Sequence, residues 1–233
     1  MRLLALDTST EACSAAVLAE GAVLERYELA PRRHAALILP MIEAVLAEAG
    51  LDARRLDAVA FGRGPGAFTG VRVAAGIAQG IAFAADLPVI PVSTLAALAL
   101  GASRETGHAR IAAALDARMG EIYWGTYAVS AARAELLGEE RVSAPEQVAA
   151  PAGAWFGTGS GWGVYSAILA RRLTVDGWTG ERWPRAGDIA RLAADPSRRT
   201  EWVGAEQALP VYLRNEVVSK PLATSSPAAA RIK

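Results

Sequence analysis

Asp7-Thr-Ser-Thr10 follows the apolar run Leu3 to Leu6 and gathers one carboxylate and three hydroxyls at the end of a strand. An ATPase built of two lobes places its first phosphate hairpin at such a strand end, with carboxylates nearby for a magnesium ion. Ser9 stands where that turn usually carries glycine, so a backbone approaches phosphate less easily here, and the same side chains can simply satisfy a strand-end turn. A second strand, Ile111 to Leu115, also ends in an aspartate. Asp116 either coordinates a metal through water or pairs with Arg118 across a hairpin. The cluster Gly157-Thr-Gly159-Ser-Gly161 has the composition of an adenosine loop, without an acidic partner nearby.

Gly64-Pro65-Gly66-Ala-Phe68-Thr69-Gly70 lies between the buried-strand pattern Leu56 to Phe61 and a small-residue helix pattern, Val71 to Ala85, that contains Gly76 and Gly80. Such a loop opens a helix N-terminus and can hold an anion or admit another backbone at close range. Metal chemistry has little to draw on, because His34 and His108 are the two histidines and are far apart in the chain. No His-x-x-x-His spacing exists, and no metal site is expected. His108 falls in a polar linker, Ser103 to Arg110, expected to face solvent. Cys13 is the single cysteine, which excludes an intramolecular disulfide and a cysteine zinc cage and makes the cytoplasm the default location. It sits inside a predicted strand, and no Gly-x-Ser-x-Gly elbow is present, so a serine or cysteine hydrolase is not expected.

These groups are carried by 233 residues, enough for two half-size lobes, with 24 basic and 24 acidic side chains. That balance gives no global reason for tight, unaided binding to nucleic acid, so contact with RNA would need a partner. The N-terminus is apolar for only four residues before Asp7, and no later window is expected to approach the ~20 apolar residues of a membrane span. The chain reads as neither secreted nor membrane-spanning.

Strands are predicted at Leu3 to Leu6, Ala12 to Leu18 and Val23 to Leu29, then a helix from about Arg33 to Ala49. The Leu56 strand, the glycine loop and its helix come next, followed by a strand at Pro88 to Val92 and a helix to about Leu100. The order βββαβαβα describes a mixed sheet covered by helices, a ribonuclease-H-like lobe. Residues 107–218 begin as the first half does, with an aspartate-ended strand and a hairpin (Glu121 to Val129). Ala134 to Val142 is a candidate third strand. Helices near Val164 to Arg172 and Asp188 to Ala194 flank a turn region from Asp176 to Gly187. The division is therefore 1–106 and 107–218, with 219–233 a Pro-, Ala- and Ser-containing tail of disordered composition.

Leu-Asp-Thr-Ser-Thr at 6–10, Arg33-His34 followed by Leu-Ile-Leu-Pro40, Gly64-Pro-Gly-Ala-Phe-Thr-Gly-Val-Arg72, Gly76-Ile-Ala-Gln-Gly-Ile-Ala82, Ala114-Leu-Asp-Ala-Arg118 with Tyr123, and Pro210-Val-Tyr-Leu-Arg214 together resemble the bacterial TsaB family, formerly YeaZ, from residue 1 to about 217. The resemblance implies an actin-like α/β fold of the sugar kinase, Hsp70 and actin superfamily, built of two ribonuclease-H-like lobes with mixed sheets covered by helices. It also implies a role in making N6-threonylcarbamoyladenosine at position 37 of tRNAs that read codons beginning with A. TsaB is the non-catalytic member of that system: it pairs with the transferase TsaD, and the ATPase TsaE joins them. No cofactor is then expected on this chain alone, with ATP and magnesium placed at the complex with TsaD and TsaE.

The helix from His34 is apolar nearly all round and the helix after the glycine loop is rich in small residues, so part of their surface is expected to serve a partner. The candidate interface comprises His34, Leu37, Ile38, Met41, Val45, Gly64, Pro65, Gly66, Phe68, Thr69, Gly70, Arg72 and Gly76, with Leu37, Ile38, Met41 and Val45 divided between core and interface. Phe68 reads as a loop-tip aromatic and Arg72 as a cation awaiting an acid or phosphate on a partner. Asp7, Thr8, Ser9, Thr10, Asp116, Gly157 and Gly159 form a possible vestigial nucleotide cleft. Isolated chains are expected to form homodimers, and tRNA to be reached only through the complex. A stand-alone ATP-binding or ATP-hydrolysing enzyme of the actin-like superfamily is the alternative.

Overall fold

The computed structural model describes residues 1–214, so the tail assigned to 219–233 lies outside the described residues. Strands β1 (Leu3–Asp7), β2 (Ala12–Ala19) and β3 (Ala22–Leu29) form a meander, closed between β2 and β3 by Glu20 and Gly21 at positive φ of 52° and 81°. Helix α1 (His34–Glu48) carries the chain across to β4 (Ala58–Gly62), which pairs parallel to β1, and α2 (Phe68–Ala85) leads to β5 (Val89–Val92). The first sheet has the order β3-β2-β1-β4-β5. Ser93 accepts a hydrogen bond from the Ala96 amide and so starts α3 (Thr94–Thr106).

The second sheet uses β6 (Arg110–Arg118), β7 (Glu121–Ser130), β8 (Arg133–Leu136), β9 (Arg141–Ser143), β10 (Trp155–Thr158) and β11 (Val175–Thr179), with α4 (Ser160–Arg172) between the last two. Its order is β11-β10-β6-β7-β8, and β9 pairs with β7. Helix α5 (Ala186–Ala193) completes the set.

Alternation along the strands assigns the layers. Leu4, Leu6, Val59 and Phe61 face α1 and α2, whereas Leu3, Ala5, Ala60 and Ile90 lie on the side covered by α5. Helix α3, packed on α5, rests on Ile111, Ala113, Leu115 and Tyr127 of the second sheet, whose outer face holds Ala112, Ala114, Trp124 and Trp155 against α4. Two mixed sheets thus alternate with three helical layers, the actin-like arrangement of ribonuclease-H-like halves.

Helix α5 comes after the second sheet in sequence but packs on β1 and β2 of the first. No side chain of its own caps it; the Ala186 amide donates to Ser14 Oγ at 2.9 Å and the Gly187 amide to Glu25 at 2.9 Å. Asp188 accepts from Arg104 on α3 at 2.7 Å. Beyond it, Val203 bridges to Val89, and the Val211 amide donates to the Arg63 carbonyl at 2.8 Å.

Several local expectations are corrected. Helix α2 begins at Phe68 rather than Val71, and α3 runs to Thr106 rather than Leu100, ending at Gly107 with φ 78°. Half of the supposed Ser103 to Arg110 linker is therefore helical, and His108 stacks on Phe156 at 4.6 Å instead of standing in water. Ala134 to Val142 is two short strands, β8 and β9, and Val175–Thr179 is a strand where a turn region was expected. Among the described residues one helix, Phe68–Ala85, is long and apolar enough by composition to span a membrane, contrary to expectation; it is packed along one side on β4.

Candidate functional site

The turn after β1 is closed off. Asp7, Thr8 and Ser9 are fully buried, and Ser9 donates to the Asp7 carboxyl from its amide at 3.0 Å and its hydroxyl at 2.9 Å. The glycine loop is clasped onto this turn: the Ala67 amide donates to the Ser9 carbonyl and the Thr8 hydroxyl to the Gly70 carbonyl, each at 2.7 Å. A β-carbon on Gly66 or Gly70 would overlap the carbonyl oxygens of Ser9 and Thr8. These glycines serve backbone packing against β1, not an anion. Of the residues placed in a possible vestigial nucleotide cleft, Asp7 and Thr8 are closed off inside this turn, whereas Ser9 and Thr10 line the cleft between the two sheets, and Thr10 alone of the four is partly exposed. Burial outweighs the two Ser9 hydrogen bonds and pushes the Asp7 carboxyl up to about 7.

The second glycine cluster is filled in the same way. Gly157 lies within β10 and packs on the indole of Trp162, while Gly159, at φ 103°, and Gly161 lie against the backbone of Ala114. Trp162 is buried and donates from Nε1 to the Ala112 carbonyl at 2.8 Å. Gly157 and Gly159 are thus core positions, which corrects their reading as an adenosine loop. Asp116 is partly exposed and takes both the amide and the guanidinium of Arg118, at 2.9 and 2.8 Å, and Arg118 reaches across to Glu11 at 3.1 Å. The local pair is the observed arrangement. A cleft of ≈ 560 Å³ remains between the halves, lined by Thr10, Glu11, Arg32, Asp116, Arg118 and Tyr212 among others. Among the described residues no group of three or more His, Cys, Asp or Glu could hold a metal ion. Cys13 is buried, and desolvation with the nearby Asp7 pushes its thiol up to about 12, which suppresses the thiolate.

A different surface is built on α1 and α2. Ile38 and Val45 are wholly inside the core, so their assignment to an interface is corrected, and Leu37, Met41 and His34 are half-buried. Gly64, Pro65 and Gly70 are buried and Gly66 partly so. Phe68, Thr69, Arg72 and Gly76 are exposed, with Phe68 in the first turn of α2 rather than on a loop tip. The Arg72 guanidinium lies 3.2 Å from the Phe68 ring centre and 4.9 Å from that of Tyr212, and donates to the Phe68 carbonyl at 3.2 Å. Gln79 holds the Ala208 carbonyl at 3.2 Å, which lays the segment ending in Tyr212 beside α2.

Residues 25–157 match the family model described as TsaD, tRNA N6-adenosine threonylcarbamoyltransferase. Over 234 residues, covering 95% of this chain and 98% of the other, the sequence is 43% identical to the tRNA threonylcarbamoyladenosine biosynthesis protein TsaB of Escherichia coli. The chain belongs to the TsaB family. The TsaB of Haemophilus influenzae is 44% identical over 232 residues, 95% of this chain and 97% of that one. A solved structure of YeaZ from Pseudomonas aeruginosa superposes with a TM-score of 0.86 and 52% identity, covering 91% of this chain and 99% of its own.

In this TsaB-family chain the stripe on α2 continues past the residues expected from sequence. Gly80 and Phe83 follow Gly76 at helical spacing, and Phe83 is 82% exposed. A β-carbon at Gly76 or Gly80 would meet nothing within 4 Å. Leu39 on α1, Leu209 and Tyr212 add exposed apolar surface. The i, i+4 glycines followed by an aromatic were the available signal for Gly80 and Phe83. Leu209 and Tyr212 gave none, since they join α2 only through the tertiary fold.

Proposed function

We propose that this chain is a non-catalytic assembly subunit in the making of threonylcarbamoyladenosine in tRNA, docking on a TsaD-type transferase through the exposed stripe of α1 and α2. The observation that carries the reading is the stripe Phe68, Thr69, Arg72, Gly76, Gly80 and Phe83, exposed on a helix whose opposite side is core. Small residues let another helix approach closely, and the flanking aromatics supply anchors. The buried Asp7 turn and the Trp162-filled glycine cluster support a role without chemistry of its own. TsaE joins through the complex, ATP and magnesium belong to that assembly, and tRNA is met only there. In isolation the same stripe pairs two copies of the chain. The cytoplasm is the setting.

Titration calorimetry against the TsaD-family protein of the same organism, and separately against Mg-ATP, tests the reading. Micromolar or tighter binding to the former, lost in Phe83→Asp, and no heat with the latter are expected. Micromolar ATP binding by the isolated chain would replace this reading with a stand-alone nucleotide enzyme working in the ≈ 560 Å³ cleft.

A further inference from the structure

We infer that the protein docked on the α1–α2 stripe brings a carboxylate to Arg72, and that this contact sets which partner is accepted. The inference rests on the docking reading above and names the chemistry of its contact. Arg72 is the single charged residue in the 18 residues of α2. Among the described residues it makes no ion pair; its guanidinium carbon lies 3.2 Å from the Phe68 ring centre and 4.9 Å from that of Tyr212, the two centres being 6.1 Å apart, so the rings flank it on different sides, and its hydrogen bond goes to the Phe68 carbonyl.

Stacking occupies the face of a guanidinium and leaves in-plane N–H donors to be used at its edge. Covering the surrounding Phe68, Gly76 and Tyr212 would strip water from those donors, which is costly unless the covering surface supplies an anion. A planar carboxylate matches the donor fork in bidentate fashion. The Phe68 ring, the Phe68 carbonyl and the nearby Tyr212 already restrain the guanidinium, so less side-chain freedom is lost when the pair forms.

Candidate occupants differ in what they offer. Residues 215–233 contain one acid, Glu216, against Lys220, Arg231 and Lys233, a poor match for a cation. A second copy would offer Glu43 from α1 or Asp86 just past the end of α2, Glu48 being held by Arg26. A TsaD-family protein shares the model that matches residues 25–157, a stretch that spans both helices, so it can meet this stripe with an equivalent pair of its own. We take that partner as the occupant, with an aspartate or glutamate opposite the first turns of α2.

Calorimetry of Arg72→Met, Arg72→Lys and Arg72→Glu against the TsaD-family protein of the same organism tests this, with Gly76→Trp as the blocking control. Thermal melts verify that each variant folds. A rise in Kd of about tenfold for Arg72→Met and about 100-fold for Arg72→Glu is expected, with Arg72→Lys between wild type and Arg72→Met. One Asp→Arg or Glu→Arg exchange on the partner should restore binding of Arg72→Glu. Unchanged binding by Arg72→Met, with Gly76→Trp abolishing it, overturns the inference and leaves the docking reading intact. Unchanged binding by Gly76→Trp overturns the docking reading itself. Failure of every partner exchange to restore Arg72→Glu removes the carboxylate. If Arg72→Met and Asp86→Asn break self-association measured by sedimentation while heterologous binding is untouched, the occupant is a second copy and the inference falls.

Discussion

Gly62 stands so close to the carboxyl group of Asp7 that a β-carbon on it would overlap Oδ2. The strand next to β1 therefore seals the carboxylate that ends β1, and the side chain is left with Ser9 for company.

That seal predicts a pH effect on stability. Folded Asp7 keeps its proton to about pH 7, whereas the unfolded chain releases it near 3.8. Between those values the unfolded state binds fewer protons, so stability falls as pH rises and levels off above about pH 7, by at most about 4 kcal/mol. Urea unfolding at pH 4.5 to 8 should show this decline relative to Asp7→Asn, which lacks the titrating group. Parallel stability curves for the two proteins would refute it.

The clasp between the glycine loop and the Asp7 turn predicts that Gly66→Ala and Gly70→Ala each cost more than about 2 kcal/mol, since both colliding atoms belong to backbone. Denaturant midpoints measure this directly.

Gly76 and Gly80 should behave in the opposite way. Each faces open space on an exposed helix surface, so alanine is expected to add about 0.5–1 kcal/mol of stability through helix propensity. The same changes should weaken docking, because a methyl group holds an approaching helix away. A raised melting temperature together with a raised Kd is the expected pair of results.

Phe68→Ala should leave the far-ultraviolet circular dichroism spectrum unchanged, since the ring is 53% exposed. Its affinity for the partner should fall by more than about 1 kcal/mol, as for an interface aromatic that also props an arginine. Calorimetry with an unaltered Kd would take Phe68 off the stripe.

Much of the fold was legible because it is local. The meander turn at Glu20-Gly21, the apolar runs of β1 and β4 and the Ser93 cap all announce themselves within a few residues. The start of α2 was missed because Ala67, its N-cap residue, has no side chain that can signal a helix start. The seat of α5 was missed because its capping groups, Ser14 and Glu25, lie more than 150 residues away in sequence. Glycine patterns told of close approach without saying to what: Gly66 and Gly70 meet the chain's own backbone, Gly157 an indole, and Gly76 and Gly80 open space. The exposed stripe was legible only in part because a wide apolar helix shows no division between core and surface until its neighbours are in place, as Ile38 and Met41 demonstrate.

The return of α5 to the first sheet has a consequence for biosynthesis. The five strands of that sheet are complete at Val92, yet the helix that covers Leu3, Ala5 and Ile90 is translated only ~90 residues later. At typical elongation rates one apolar surface of the nascent sheet waits roughly 5–20 s for its cover. During that interval a growing polypeptide of this kind offers holding chaperones a defined binding surface, and a ribosome stalled before Ala186 would present it indefinitely.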